Sequence, residues 1–138
     1  MVRPDRAPLG VGLDGCKAGW VAASFDGQAL AFRLFDSIEA WAADDDWQAP
    51  QTLIDMPIGL LSAGCPGDPP YAPGVRGCDA AARRLLGPRR SSVFAAPSRE
   101  ALAAPDYPSA NAANRAAIGK GLSKQAYYLI PKVREVDR

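Results

Sequence analysis

The sequence predicts an α/β fold with a mixed sheet, in which three antiparallel strands are followed by a helix and by a fourth strand parallel to the first. Residues 9–55 contain four short runs rich in apolar and β-forming residues, each bounded by turn-forming residues. The segment between the third and fourth runs has helical character. A strand reached through a helical crossover normally lies parallel to its neighbour in the sheet. The second half of the chain is predicted to be mainly helical.

The first three strands are predicted from alternation and from one hairpin signal. Residues 9–14 alternate glycine with apolar side chains and end in an acid, which is typical of a strand whose glycine face meets a close neighbour. Residues 20–25 form the second strand and residues 29–35 the third. Asp26-Gly27, which lies between them, is a dipeptide favoured in two-residue hairpins. These segments therefore predict an antiparallel meander.

The crossover to the fourth strand is predicted to contain a short helix. Ser37 is placed to cap this helix, and Ile38 and Trp41 would lie on its inner face. The acidic run 44–46 ends the helix and is expected to be solvated. Residues 52–55 are short, apolar and rich in β-formers, so we predict a buried fourth strand. This order of elements opens both RNase H-like folds and actin-like ATPase folds.

A long loop and a first helix open the second half. Five prolines and four glycines lie between residues 57 and 74, and so long a loop is usually functional or disordered. The following helix is predicted from Asp79 to Leu86, with Gly87 as its stop. Asp79 and Arg83 are spaced for an i,i+4 ion pair on this helix.

Residues 88–94 are expected to be extended, and three further helices follow them. Their predicted N-caps are Ser98, Ser109, whose helix ends at Gly119, and Ser123. Pro131 is expected to kink or interrupt the last helix. The length of 138 residues predicts a single domain over residues 1–138, and no internal repeat suggests otherwise.

The composition excludes several kinds of chemistry. The chain contains no histidine, which removes Ser-His-Asp and Cys-His catalysis, histidine-bearing zinc sites and imidazole bases. Any reaction must therefore use carboxylates, lysine, arginine, hydroxyls, or a hard metal held by oxygen. Three cysteines without paired spacings favour a reducing cytoplasm and make a poor zinc site. No apolar run approaches the roughly 18 residues of a membrane span, and we read no signal peptide.

Charge is distributed unevenly along the chain. Residues 1–60 carry nine acids and four Lys/Arg, a balance of −5, whereas residues 61–138 carry six acids and twelve Lys/Arg, a balance of +6. This split suits a site in which carboxylates hold a metal and arginines hold an anionic substrate. A chance distribution in a nearly neutral protein explains the split equally well.

Five segments together resemble one bacterial family, called domain of unknown function 429 (DUF429). They are GLDGCKAGW (12–20), IDMPIG (54–59), RGCDAAAR through RSSVF (76–94), GLSKQ (121–125) and PKVREVD (131–137). The resemblance implies an RNase H-like fold and a nuclease activity that has been predicted for the family. Members continue past the last segment into another strand and further helices, so the fold is expected to be incomplete at the C-terminus.

Asp14 and Asp55 are the main candidate catalytic residues and metal ligands. RNase H-like enzymes place acids on the first and fourth strands, where Mg²⁺ or Mn²⁺ ions activate water and steady the leaving oxygen. Glu135 is a candidate third ligand, although a frayed terminus also explains the scattered charges there. The alternative for the pair is local, with Asp14 capping its own turn and Asp55 accepting backbone N–H groups before Pro57.

Candidate phosphate-binding residues are basic. They are Lys17, Arg76, Arg83, Arg89 and Arg90, because guanidinium and ammonium groups bind phosphate. A solvated basic face is the alternative, and there is little aromatic interleaving for base stacking. For Asp79 a helix cap with a surface ion pair is at least as good an explanation as a site role.

Three functions stay open from the sequence. They are a Mg²⁺- or Mn²⁺-dependent nuclease acting on DNA or RNA, an actin-like ATP-dependent phosphotransferase, and a non-catalytic or incomplete binding domain. Without a fifth strand, the strand 52–55 would be a sheet edge with unpaired backbone groups, so we expect self-association through that edge, coverage of the edge by the loop 57–74, or low stability.

Overall fold

The computed structural model describes residues 7–67 and 69–137. The chain divides into two compact units, Met1–Met56 and Pro57–Arg138. The single domain expected over residues 1–138 stays a prediction. Within the described ranges, no helix has both the length and the apolar character that crossing a membrane requires.

The N-terminal unit is built on a four-stranded mixed sheet. Its strands are β1 (Gly10–Cys16), β2 (Gly19–Phe25), β3 (Leu30–Phe35) and β4 (Thr52–Ile54), in the order β3-β2-β1-β4. β1 and β2 are antiparallel, as are β2 and β3, while β1 and β4 are parallel. The predicted fold class is therefore confirmed, and the arrangement is consistent with an RNase H-like fold.

Two turns of the meander depend on particular residues. Gly19 has φ +133°, and a Cβ there would lie 2.1 Å from the carbonyl oxygen of Phe35, so only glycine fits. In the second hairpin, Asp26 Oδ1 accepts hydrogen bonds from the backbone N–H groups of Gln28 and Ala29, each at 2.8 Å. The hairpin is where Asp26-Gly27 predicted it, but its loop spans four residues between β2 and β3 rather than two.

The crossover contains α1 (Ile38–Ala42) and a 3₁₀ turn at Asp45–Trp47. Ser37 Oγ accepts the N–H of Ala40 at 3.1 Å, which confirms the predicted cap. The acidic run is not simply solvated, because Asp44 caps the 3₁₀ turn and pairs with Arg33 at 2.5 Å. This turn buries Trp47, whose ring packs edge-on against Phe35 with centroids 5.7 Å apart.

The fourth strand is correctly placed but its predicted burial is wrong. Leu53 is 77% exposed, and Thr52 is exposed as well. In the sheet that the structure describes, β4 has only β1 as a neighbour and therefore forms an edge. Leu53 lies on the exposed face of the sheet, whereas Ile54, on the opposite face beside the buried Leu13, is half-buried.

The C-terminal unit begins with the Pro/Gly-rich segment. In its described part, residues 57–76 form no helix, and the one β-bridge joins Ser62 and Cys65. α2 (Gly77–Leu86) follows and ends at Gly87, which has φ +50°, as predicted. The expectation that residues 88–94 are extended is wrong, since Gly87–Ser92 form a 3₁₀ helix. Pro88 lies in its first turn, where the missing N–H and the fixed φ of proline cost nothing.

Three helices, α3 (Arg99–Leu102), α4 (Tyr107–Ile118) and α5 (Lys124–Val136), complete this unit and pack against one another. Ser123 caps α5 as predicted, with its Oγ accepting the N–H of Ala126 at 3.1 Å. Pro131 does not interrupt α5, which runs on to Val136 because Ile130 and Val133 beside it are buried.

Two caps in this unit differ from the prediction. Asp106, not Ser109, caps α4, and its carboxylate accepts the N–H of Ser109 at 2.8 Å. The helix starts earlier because Pro108 is favoured in a first turn. Ser98 is at the N-cap of α3, but its side chain makes no cap hydrogen bond. Its backbone N–H instead donates to Oδ1 of the buried Asn114 at 2.7 Å.

Candidate functional site

Asp14 and Asp55 lie side by side on two parallel strands, Asp14 two residues before the end of β1 and Asp55 directly after β4. The register pairs Leu13 of β1 with Ile54 of β4, and each acid is the next residue along its strand. The backbone N–H of Asp55 donates to the carbonyl of Leu13 at 3.1 Å, which extends the ladder by one step. In-register residues on neighbouring strands point to the same face, so both carboxylates share one face of the sheet.

Both acids border a shallow depression of about 430 Å³ on that face. Its floor is formed by small residues, Gly12 and Ala23, and its sides include Val21 and Leu53. Both acidic residues are exposed. Solvent and a hydrated ion can therefore reach either carboxylate directly.

Neither carboxylate has a structural partner among the described residues. Within residues 7–67 and 69–137, no ion pair or side-chain hydrogen bond engages Asp14 or Asp55. The local alternative, in which Asp14 caps its own turn and Asp55 accepts backbone N–H groups, is thus absent from the structure. Two neighbouring like charges without a counter-charge favour binding of a cation.

The donor set suits a hard divalent cation. Mg²⁺ commonly binds through one or two carboxylates and keeps several of its waters, and Mn²⁺ prefers the same oxygen ligands. Two exposed carboxylates fit this requirement. Over the part of the chain that the structure describes, no three or more Cys, Asp or Glu side chains cluster as a metal-binding group.

Two further candidate residues are the third predicted metal ligand, Glu135, and the basic residue Lys17. Glu135 lies on α5 in the C-terminal unit, where its carboxylate accepts a hydrogen bond from Lys132 Nζ at 3.1 Å. A role for Glu135 as a third ligand stays a prediction. Lys17 is exposed in the turn that follows β1, three residues after Asp14.

Two of the candidate arginines, Arg76 and Arg83, use their side chains in hydrogen bonds within the C-terminal unit. Arg76 is only 9% exposed, donates to the carbonyl of Ile58 at 3.0 Å, and lies 3.8 Å from the Asp79 carboxylate. Arg83 donates twice to the carbonyl of Val93, through Nε at 3.0 Å and Nη2 at 2.7 Å. The predicted Asp79–Arg83 pair is therefore wrong, because each residue has a different partner.

Arg89 and Arg90 are exposed on the 3₁₀ helix, and no hydrogen bond or ion pair joins their side chains to another described residue. The bonds from Arg83 to Val93 tie the end of this segment back to α2. These two guanidinium groups are therefore presented to solvent on a fixed backbone. A phosphate-binding role stays a prediction for all five basic candidates.

The sequence comparison identifies the family. The family model described as "Protein of unknown function (DUF429)" matches residues 12–138. The chain belongs to this family. DUF429 membership covers both acids and all the basic candidates, but the description of the family states no activity. Among curated proteins and solved structures, none matches this chain.

Proposed function

We propose that this DUF429 protein is a divalent-cation-dependent phosphodiesterase acting on nucleic acid, with Asp14 and Asp55 as the metal ligands. The observation that carries the proposal is the placement of two exposed, unengaged carboxylates side by side, one near the end of β1 and one directly after β4. The side chains of Asp14 and Asp55 make no contact that would explain an acid at both positions by the structure of the sheet or its turns.

The electrostatics of the N-terminal unit support cation binding. Two adjacent carboxylates repel each other, and the segment of residues 1–60 that contains them carries a charge balance of −5. A divalent cation relieves this repulsion, so binding stabilises the folded state by mass action. Mg²⁺ or Mn²⁺ is proposed on the chemistry of the donors, which are oxygens alone.

The roles of the residues follow from their chemistry. A bound Mg²⁺ or Mn²⁺ would lower the pKa of a water and neutralise charge on a phosphodiester. Asp14 and Asp55 would hold this ion, and their remaining oxygens would be the available proton acceptors, since the chain has no imidazole. Arg89 and Arg90 are exposed cations that bind phosphate oxygens.

The test is cleavage of labelled single-stranded DNA, duplex DNA and RNA oligonucleotides by the full chain, with Mg²⁺, with Mn²⁺, and with EDTA. We expect cleavage that EDTA abolishes. Asp14→Asn and Asp55→Asn should each reduce the rate about 100-fold or more, since even indirect support of a metal ligand is worth 10–100-fold.

The matched control is Asp45→Asn, an exposed aspartate of the same unit. It should cleave at the wild-type rate. Cleavage that survives Asp14→Asn, or no cleavage of any substrate by the wild type, would overturn the proposal. Phosphate release from ATP without cleavage of oligonucleotides would indicate the actin-like alternative, and binding of oligonucleotides without turnover would indicate a binding domain.

A further inference from the structure

An open cavity of about 380 Å³ lies in the C-terminal unit, between α5 and the segment that joins α3 to α4. The connecting segment contributes small side chains to its lining, among them Ala103 and Ala104, which leave the space unfilled. α5 contributes two tyrosines and an arginine, which are Tyr127, Tyr128 and Arg134. The volume is within the range of pockets that bind small organic groups.

The two tyrosines give the cavity an aromatic wall. Tyr127 is braced by Tyr107, since their ring centroids are 5.5 Å apart at 73° and the Tyr107 hydroxyl donates to the carbonyl of Leu122 at 2.9 Å. The ring of Tyr128 meets that of Tyr127 with centroids 5.8 Å apart. Tyr128 is nevertheless 75% exposed. Because so exposed a ring adds little to the burial of apolar surface, packing does not explain an aromatic residue at position 128.

Arg134 adds a positive charge to the lining of the cavity. Its Nη2 donates to the carbonyl of Leu102, which fixes the guanidinium group. A guanidinium has five N–H donors, and no ion pair or further hydrogen bond engages Arg134 in the part of the chain that the structure describes. The acid next to it in the sequence, Glu135, pairs with Lys132 at 3.1 Å. Donors of Arg134 are therefore available to an anion.

An exposed aromatic ring beside a guanidinium suits a nucleotide. Aromatic side chains stack on any nucleobase, because every base has a π-face, and guanidinium groups bind phosphate oxygens. The charge balance of +6 over residues 61–138 attracts a polyanion to this half of the chain. A proline-rich peptide also docks on aromatic rings, but a neutral peptide would make no use of the charge of Arg134.

We propose that this cavity binds one nucleotide of single-stranded nucleic acid, with its base stacked on Tyr128 and its phosphate on Arg134. The proposal rests on the proposed function and names its substrate class, because an unpaired base can stack on a side chain whereas a duplex keeps its bases inside. The cavity belongs to the C-terminal unit, and Asp14 and Asp55 to the N-terminal unit. Binding of the nucleotide therefore uses neither carboxylate.

The experiment is fluorescence anisotropy of a labelled single strand of about 12 nucleotides, as DNA and as RNA, titrated with the full chain in EDTA. Tyr128→Ala should fold, because the side chain is exposed, and should bind the single strand about tenfold more weakly or worse through loss of one stacked base. Its salt dependence should equal that of the wild type, since the ring carries no charge. Tyr128→Phe keeps the ring and should bind with wild-type affinity.

The charge of Arg134 is tested by the salt dependence of the same binding. In Arg134→Gln, the slope of the logarithm of the binding constant against the logarithm of the salt concentration should become shallower by about 0.7–1 unit. Arg134→Lys keeps the charge and should keep the slope. A role of Arg134 in packing alone, through the carbonyl of Leu102, would leave the slope of both variants at the wild-type value and would overturn the phosphate contact.

The matched control is Leu85→Ala on α2, which shortens a side chain that is 89% exposed and lies outside the cavity. It should bind the single strand as the wild type does. Binding to a duplex of the same sequence should be equal in Tyr128→Ala and the wild type. An undiminished affinity of Tyr128→Ala for the single strand, or an equal loss with the duplex, would overturn the proposal.

Two outcomes separate this proposal from neighbouring ones. Tyr128-dependent binding of a labelled proline-rich peptide, by a chain that binds no oligonucleotide, would overturn it in favour of a peptide site. Tyr128-dependent binding of the single strand in EDTA, without cleavage when Mg²⁺ or Mn²⁺ is supplied, would support the nucleotide site and contradict the nuclease activity. Cleavage by a protein whose binding does not depend on Tyr128 would do the reverse.

Discussion

Replacing Arg76 with methionine should destabilise the C-terminal unit, although Arg76 was a candidate for phosphate binding. The guanidinium is nearly buried, donates to the carbonyl of Ile58 at 3.0 Å, and lies 3.8 Å from Asp79, whose side chain is itself only 15% exposed. Arg76→Met keeps much of the volume of the side chain but removes its charge and its donors. The Ile58 carbonyl then loses this donor, and the Asp79 carboxylate loses its cation and keeps the contact with the Cys78 thiol.

The contacts of Arg76 determine the expected loss in the free energy of unfolding. A hydrogen bond that involves a charged group contributes about 1.5–3 kcal/mol. The contact to Asp79 is longer than a hydrogen bond, so it contributes less than the bond to Ile58. We therefore expect Arg76→Met to lower the free energy of unfolding by about 2–4 kcal/mol. Arg89→Met, at an exposed arginine with no described partner, should change it by less than about 0.5 kcal/mol.

Urea unfolding followed by far-UV circular dichroism measures both variants against the wild type. The midpoint of Arg76→Met should fall clearly, while that of Arg89→Met should coincide with the wild-type midpoint. If Arg76→Met unfolds within about 0.5 kcal/mol of the wild type, the assignment of Arg76 to the fold is wrong. It would then return to the group of residues available for phosphate.

Three further predictions concern other parts of the molecule. Arg89→Gln should weaken binding to a single-stranded oligonucleotide, measured by fluorescence anisotropy. The slope of the logarithm of the binding constant against the logarithm of the salt concentration should become shallower by about one unit. An unchanged slope would show that this arginine contacts no phosphate. Ser123→Ala should cost about 1 kcal/mol in urea unfolding, since Ser123 Oγ accepts the Ala126 N–H at the start of α5, and an unchanged midpoint would contradict that cap. The pKa of Glu100 lies below its ordinary value of 4.5, mainly because its carboxylate accepts a hydrogen bond from the backbone N–H of Ala63. Its contribution to stability is therefore complete above pH 4.5 and is lost as the pH falls through the lower folded-state pKa. Below pH 4.5, the free energy of unfolding of Glu100→Gln, measured with urea, should fall less steeply with decreasing pH than that of the wild type. An identical fall in the two proteins would contradict this.

The sheet was predictable because its signals are local and agree with one another. The alternation in residues 9–14, the turn at Asp26-Gly27 and the cap at Ser37 all lie within a few residues of the structure they specify. The parallel pairing of residues 52–54 with β1 follows from the crossover rule, which needs only the order of elements. The position of Asp14 beside Asp55 is a consequence of that pairing.

Burial and side-chain partners were less predictable because they depend on the folded surroundings. An apolar strand such as residues 52–54 has the same composition whether its face is covered or not, and Leu53 is exposed. Between Asp106 and Ser109, both acceptable caps, the choice depends on where α4 starts. The 3₁₀ helix over residues 87–92 carries no periodic pattern, and the bonds from Arg83 to Val93 that hold its end are invisible in the sequence.

The exposed apolar face could have been inferred from β3. Residues 30–35 (LAFRLF) place large apolar side chains on one face of the strand, and Phe35 adds a buried one on the other. Such a strand does not show the alternation of a half-solvated sheet. The missing alternation indicates that neither face of this strand is predominantly polar.

Thermal unfolding with increasing Mg²⁺ or Mn²⁺ tests the central claim most directly, because it detects a cation at Asp14 and Asp55 whether or not the protein cleaves nucleic acid. The melting temperature of the wild type should rise as the cation is titrated into the millimolar range, by mass action on the folded state. Asp14→Asn and Asp55→Asn should lose this rise, and each should be at least as stable as the wild type in EDTA because one of two repelling charges is gone. Asp45→Asn should keep the full rise. A wild type whose melting temperature does not respond to either cation, or an Asp14→Asn variant that responds as the wild type does, would show that these two carboxylates hold no metal.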